Sequence, residues 1–150
     1  MLPAGPGRYV INGTASAFFP SAVAVDGSGN LIVASFSPKY VARFTPDGSF
    51  VEAWDDYVAP AGIATGPDGV AYLASYGGFS IERLTATGPV AAVTFTSNSI
   101  PGIHGTFRPQ GVAVGPDGTI YAITDGGGTT NDRALISIAA NGPVTALIVN

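Results

Sequence analysis

The stretch GVAVGPDGTIYAIT (residues 111–124) joins a small apolar run to a β-branched and aromatic one through Gly-Pro-Asp-Gly. Proline followed by Asp-Gly suits a type I turn closed by a glycine that tolerates positive φ. The stretch therefore reads as strand, tight turn, strand. It occurs twice more upstream without a gap, as AVAVDGSGNLIVAS (22–35) and GIATGPDGVAYLAS (62–75). Pro20, Pro60 and Pro109 precede the three copies, and Ala24, Ala64 and Ala113 keep the same offsets, so the period is 40 and then 49 residues. Periods of roughly 20–50 residues mark architectures built from stacked repeats.

Each unit predicts four strands. The first is small and apolar (AVAV, GIAT, GVAV), as suits an inner strand packed on both sides. The second is LIVAS, AYLAS or IYAIT, rich in strand-forming side chains. A variable loop leads to YVARF, SIERL or ALISI, and a second tight turn (TPDGS, TATGP, AANGP) to FVEAW, VAAVTF or VTALIV. No segment holds an apolar pattern at i, i+3, i+4, i+7 without a glycine break, so the expected class is all-β.

Composition limits the function. Six basic and ten acidic residues give a formal net charge of −4, and Arg8, Lys39, Arg43, Arg83, Arg108 and Arg133 form no run. Nucleic acid and anionic membrane surfaces need clustered cations, so neither is an expected partner. With no cysteine there is no disulfide, thiolate metal site or cysteine nucleophile. No apolar run approaches the ~20 residues that span a bilayer, and MLPAGPGRYVINGT has no signal-peptide pattern. A soluble chain of undetermined compartment is expected.

Pro109 and residues 111–124, followed by NDRALISI (131–138), resemble the NHL-repeat family of β-propellers and the related gluconolactonase/regucalcin and streptogramin-lyase propellers. The resemblance covers residues 19–150 and implies three four-stranded antiparallel blades: 19–55, 58–96 and 107–150. An Asn–Arg pair of the repeat survives loosely as Asn131 and Arg133. Propellers close with about 4–8 blades, so three blades are half of a six-bladed ring. Either a second copy completes it head to tail, or the chain is a piece of a longer, reconstructed or designed protein. RYVI (8–11) reads as a thirteenth strand, either a latch across the dimer interface or the remnant of a preceding blade.

In a meander, alternate connections fall at opposite ends. The short Gly/Asp turns share one end, while the strand two–three loops and interblade links share the other. Loops held by a rigid scaffold are where binding concentrates. The expected binding face therefore comprises Phe36, Lys39, Tyr40, Asp55, Asp56, Tyr57, Tyr76, Phe79, His104, Arg108, Asp125, Asn131, Asp132 and Arg133. Its aromatic residues, with Phe107, suit a peptide, carbohydrate or small-molecule ligand, or equally a wedge between blades; Trp54 reads as packing. His104, the single histidine, is the candidate general base, as the lyase resemblance implies, although no second catalytic group accompanies it. Asp55, Asp56 and Asp125 are the candidate ligands for a divalent cation, the one cofactor considered; the lactonase ligand set has no clear match here. Asp26, Ser28 and Asn30 imitate the opening of a calcium loop but lack its glutamate, and read as a turn. The pattern favours a non-enzymatic, self-assembling repeat module over a lyase- or lactonase-type enzyme acting in the channel.

Overall fold

The computed structural model describes residues 8–11, 14–17, 20–55, 59–96, 99–124, 133–140 and 142–149, with 8–11, 14–17 and 55 described as backbone only. Among them there is no helix, and none long and apolar enough to cross a membrane. Twelve strands form three antiparallel sheets, each paired in chain order. Blade one is β3 (Pro20–Val25), β4 (Leu31–Ser35), β5 (Tyr40–Phe44) and β6 (Phe50–Asp55). Blade two is β7 (Pro60–Thr65), β8 (Ala71–Ser75), β9 (Ser80–Thr85) and β10 (Gly88–Thr94). Blade three is β11 (Pro109–Val114), β12 (Ile120–Thr124), β13 (Ala134–Ile138) and β14 (Val144–Val149). The inner strands β3, β7 and β11 lie side by side.

RYVI is a strand, β1 (Arg8–Ile11), but its partner is β2 (Thr14–Ala17), for which the sequence offers no strand pattern. The two form a separate hairpin rather than an addition to a blade. Pairing across two residues closes the smallest possible loop, which a four-residue strand finds before any distant edge.

The turns take the form their residues dictate. Gly29, Gly69 and Gly118 sit at φ 84°, 76° and 81° at equivalent positions, each donating its amide to the carbonyl three residues back. The aspartates of these turns accept backbone amides: Asp26 from Ser28 and Asn30, Asp68 from Val70, Asp117 from Thr119. The calcium-like DGSGN is thus a turn whose carboxylate is engaged by its own backbone. Every blade also begins with the same bulge, one residue after Pro20, Pro60 or Pro109. A bulge is where a proline can stand in a sheet without leaving a ladder bond unmade.

Strand register fixes which side chains meet between blades. Ile32, Val41 and Trp54 of blade one face Ala71, Leu73, Leu84 and Ile63 of blade two. On the other side of blade two, Ala74, Ile81, Tyr72 and Val93 face Ile120, Ala122, Ile136 and Ile138 of blade three. Backbones touch at the inner strands: a Cβ on Gly62 would lie 2.7 Å from the Gln110 carbonyl oxygen. Only glycine allows that approach. Thr65 Oγ1 donates to the Val25 carbonyl at 2.5 Å, Ser21 Oγ to that of Pro60 at 3.2 Å, and the Gly27 amide to that of Gly69 at 2.9 Å. Blades one and two are therefore joined by apolar packing through the middle and hydrogen bonds along the inner rim.

The outward sides differ. On blade one, Val33, Tyr40, Ala42 and Phe44 are buried, while the inner-strand residues Val23 and Val25 are 61% and 54% exposed. On blade three, Tyr121 is 36%, Ile123 50% and Ile148 60% exposed. Gly111, Ile123, Leu135 and Ile148 form one cross-strand row of that face.

Candidate functional site

At the loop end, three blades contribute to one group of side chains. Arg108 immediately precedes β11, and its backbone amide donates to Thr124 Oγ1 at 3.3 Å. Its guanidinium lies against two rings of the β8–β9 loop, 5.5 Å from the Tyr76 centroid and 5.3 Å from that of Phe79. One Nη donates to Tyr76 Oη at 3.4 Å, a long bond. Phe36, from the β4–β5 loop, is 44% exposed and holds its ring 6.1 Å from that of Tyr76 at a tilt of 58°. A guanidinium at such distances is favoured by the ring quadrupoles.

The long link before blade three holds Arg108 in place because it carries its own anchors. Ile100, Ile103 and Phe107 are buried in the core between blades two and three, and the Phe95 and Phe107 rings lie 4.9 Å apart. Phe107 is thus a wedge rather than part of the exposed face. Among the described residues the non-glycine positions with positive φ are Ala59 (54°) and Phe79 (52°), both at this end. Such a backbone costs on the order of 1–2 kcal/mol; at Phe79 it belongs to one of the rings against Arg108. The sequence identified these residues separately, but nothing in it signalled that an arginine of one blade is held by two aromatics of the next.

The other expected residues scatter. Lys39 and Arg133 are exposed, and Tyr40 is buried on the outward side of blade one, paired opposite Asp55 across the ladder. His104 is exposed on the link between buried Ile103 and half-buried Gly105. Asp56, Tyr57, Asp125, Asn131 and Asp132 lie outside the described residues, as does the side chain of Asp55. Among the described residues no group of three His, Cys, Asp or Glu side chains comes together as a metal site.

The turn end carries a cleft of about 460 Å³ between blades one and two, lined in part by Asp26, Arg43 and Asp68. The sequence analysis assigns no site to this end, and the charges there are matched within the blade. Arg43 Nε lies 3.4 Å from the Asp26 carboxylate, an ion pair without hydrogen-bond alignment, while Nη1 bonds Glu52 and the guanidinium sits 5.2 Å above the Trp54 ring. Burial pushes the Asp26 pKa up, but hydrogen bonds from Asn30 and Ser28 together with the Arg43 charge outweigh it and hold the group below its ordinary value. These contacts all lie within blade one, where they tie its first turn to its third and fourth strands.

The sequence matches no protein-family model and no curated protein. Solved structures do match. A Kuenenia stuttgartiensis hydrazine synthase superposes with TM-score 0.66 at 25% identity, over 91% of this chain and 38% of its own. Virginiamycin B lyase from Staphylococcus aureus gives 0.64 at 16%, over 93% and 47%. A nidogen/laminin complex gives 0.67 at 15%, over 95% and 57%. The fold is that of a β-propeller. The chain spans about half the length of the propellers it matches. The expectations of an all-β class, of three four-stranded blades and of kinship with propeller repeats are thereby met; neighbours with such different names leave the activity open.

Proposed function

We propose that the chain is a non-enzymatic half-propeller that pairs head to tail with a second copy into a six-bladed ring, whose loop end serves as a binding face. One observation carries this reading. The exposed residues of blade three occupy repeat positions that are covered in the other two blades. Tyr121 corresponds to Ile32 and Tyr72, and Ile123 to Ala34 and Ala74; Ile32, Ala34 and Ala74 are fully buried against the next blade. Val23 and Val25 correspond to Ile63 and Thr65 and to Val112 and Val114, half-buried where blades meet. Each outward inner edge is thus half of a seam that the molecule already makes twice. Exposed apolar surface of this kind favours a partner, and a heterologous contact that closes by rotation gives a ring.

The half-length coverage of the matched propellers supports a second reading, in which the remaining blades come from the rest of a longer chain. Light scattering on a sizing column separates the two. The ring requires two 15.0 kDa chains, about 30 kDa, and a folded 15.0 kDa species for Ile123→Asp. A wild-type monomer at every concentration overturns the homodimer and leaves the longer chain; a trimer requires a nine-bladed ring.

A further inference from the structure

The loop-end arginine is built differently from Arg43 at the turn end. Arg43 faces two carboxylates, and its charge is matched where it stands. Arg108 is half-buried and faces none among the described residues; its guanidinium contacts are two aromatic rings and one phenol oxygen at 3.4 Å. Its Nε–H is shielded from solvent and has no acceptor. The Nε–H has thus lost hydration without recovering it in a hydrogen bond, and among the described residues only one of the five donors has a partner. The fork presents its N–H groups in one plane, so an incoming acceptor is held best in that plane. A carboxylate matches that plane with two parallel N–H···O bonds. Against Tyr76, one ring further out, the exposed ring of Phe36 offers an apolar surface to whatever the carboxylate is attached to. Repeat equivalence adds to the case: the positions matching Arg108 are Phe19 and Ala59, so the blade fold itself does not require a cation here.

We propose that Arg108, clamped by Tyr76 and Phe79, is the recognition point for a small carboxylate-bearing ligand, and that Phe36 stacks on an aromatic or apolar body attached to that carboxylate. This deepens the reading of the loop end as a binding face and is independent of ring closure.

The test is a titration of the ¹⁵N-labelled chain with benzoate, followed at the Arg108 Nε–Hε resonance. Benzamide serves as the neutral isostere and acetate as the carboxylate without a ring. Benzoate should shift the resonance saturably, benzamide should not, and acetate should bind several-fold more weakly. Arg108→Gln should weaken benzoate binding about tenfold or more, as expected for loss of a charge-assisted pair. Phe36→Ala should weaken benzoate but leave acetate unchanged, and Arg108→Lys, which keeps the charge but loses the fork, should fall between wild type and Gln. A thermal melt of each variant separates lost binding from lost folding, and Phe36→Ala alters an exposed side chain should the Arg108 variants unfold. The proposal is overturned if benzoate produces no shift, if benzamide matches it, or if folded Arg108→Gln binds as wild type does. Shifts confined to Phe36 and Tyr76 with the neutral probe would retain the binding face and remove the carboxylate. Light scattering on the same samples reports ring closure separately, so either reading can fall without the other.

Discussion

Asp26 shows how one turn residue ties the first turn of a blade to its third strand. Its carboxylate closes its own turn through the amides of Ser28 and Asn30, and the same group faces Arg43 at the cleft between blades one and two. A pKa depressed by folding means that the unfolded chain binds more protons between the two values. Stability is therefore full above the ordinary aspartate value of 3.8 and drains as pH falls through the folded one. Asp47 and Asp117, lowered chiefly by hydrogen bonds from Thr45 and Thr119 respectively, act in the same direction. Asp26→Asn should flatten the acid limb of the stability–pH curve, as measured by urea midpoints between pH 5 and 2 (the window of the carboxylate linkage). An unchanged limb would show that the turn is indifferent to this charge.

At the scale of the element, blades one and two are joined by the Thr65 and Ser21 hydroxyls and by the Gly27 amide, which lies on an exposed turn yet donates to Gly69. Thr65→Val keeps the shape and deletes one such bond, worth about 1 kcal/mol. Hydrogen exchange at Gly27 should then quicken about fivefold, with the Gly118 turn as an internal control; equal rates would mean that the apolar middle alone holds the seam. The strands themselves were largely legible beforehand. LIVAS, AYLAS and IYAIT coincide with β4, β8 and β12, because each is bounded by glycine or aspartate turns that leave no alternative register. β2 was not legible, since TASA carries no large apolar side chain to mark a buried face and it pairs with its nearest neighbour, β1. The Arg108 clamp was hidden for another reason. Its partners are 29 to 32 residues away in sequence, and only the stacking of one blade on the next brings them within reach.

For the whole molecule, the two outward edges make the assembly testable by complementation. Val23→Asp and Ile123→Asp each place a charge on an outward face that exposes apolar side chains in the native chain, and if the proposed ring forms, each alone should yield folded monomers. Mixed together, the two variants can form one wild-type seam between the intact edge of each, and a second seam carrying both charges. Light scattering should show partial recovery of the pair in the mixture and none in either variant alone. Recovery in neither would place the oligomer contact elsewhere.

The exposed inner edge of blade three has a consequence for how the protein tolerates change. In a ring of two identical halves, a single codon is expressed at two joints at once. A substitution that weakens a joint by about 1.4 kcal/mol lowers the dimer's association constant about a hundredfold rather than tenfold. Drift at Tyr121 or Ile123 would therefore be purged at twice the stringency that the same residues would meet inside one continuous six-bladed chain, where each joint has a sequence of its own.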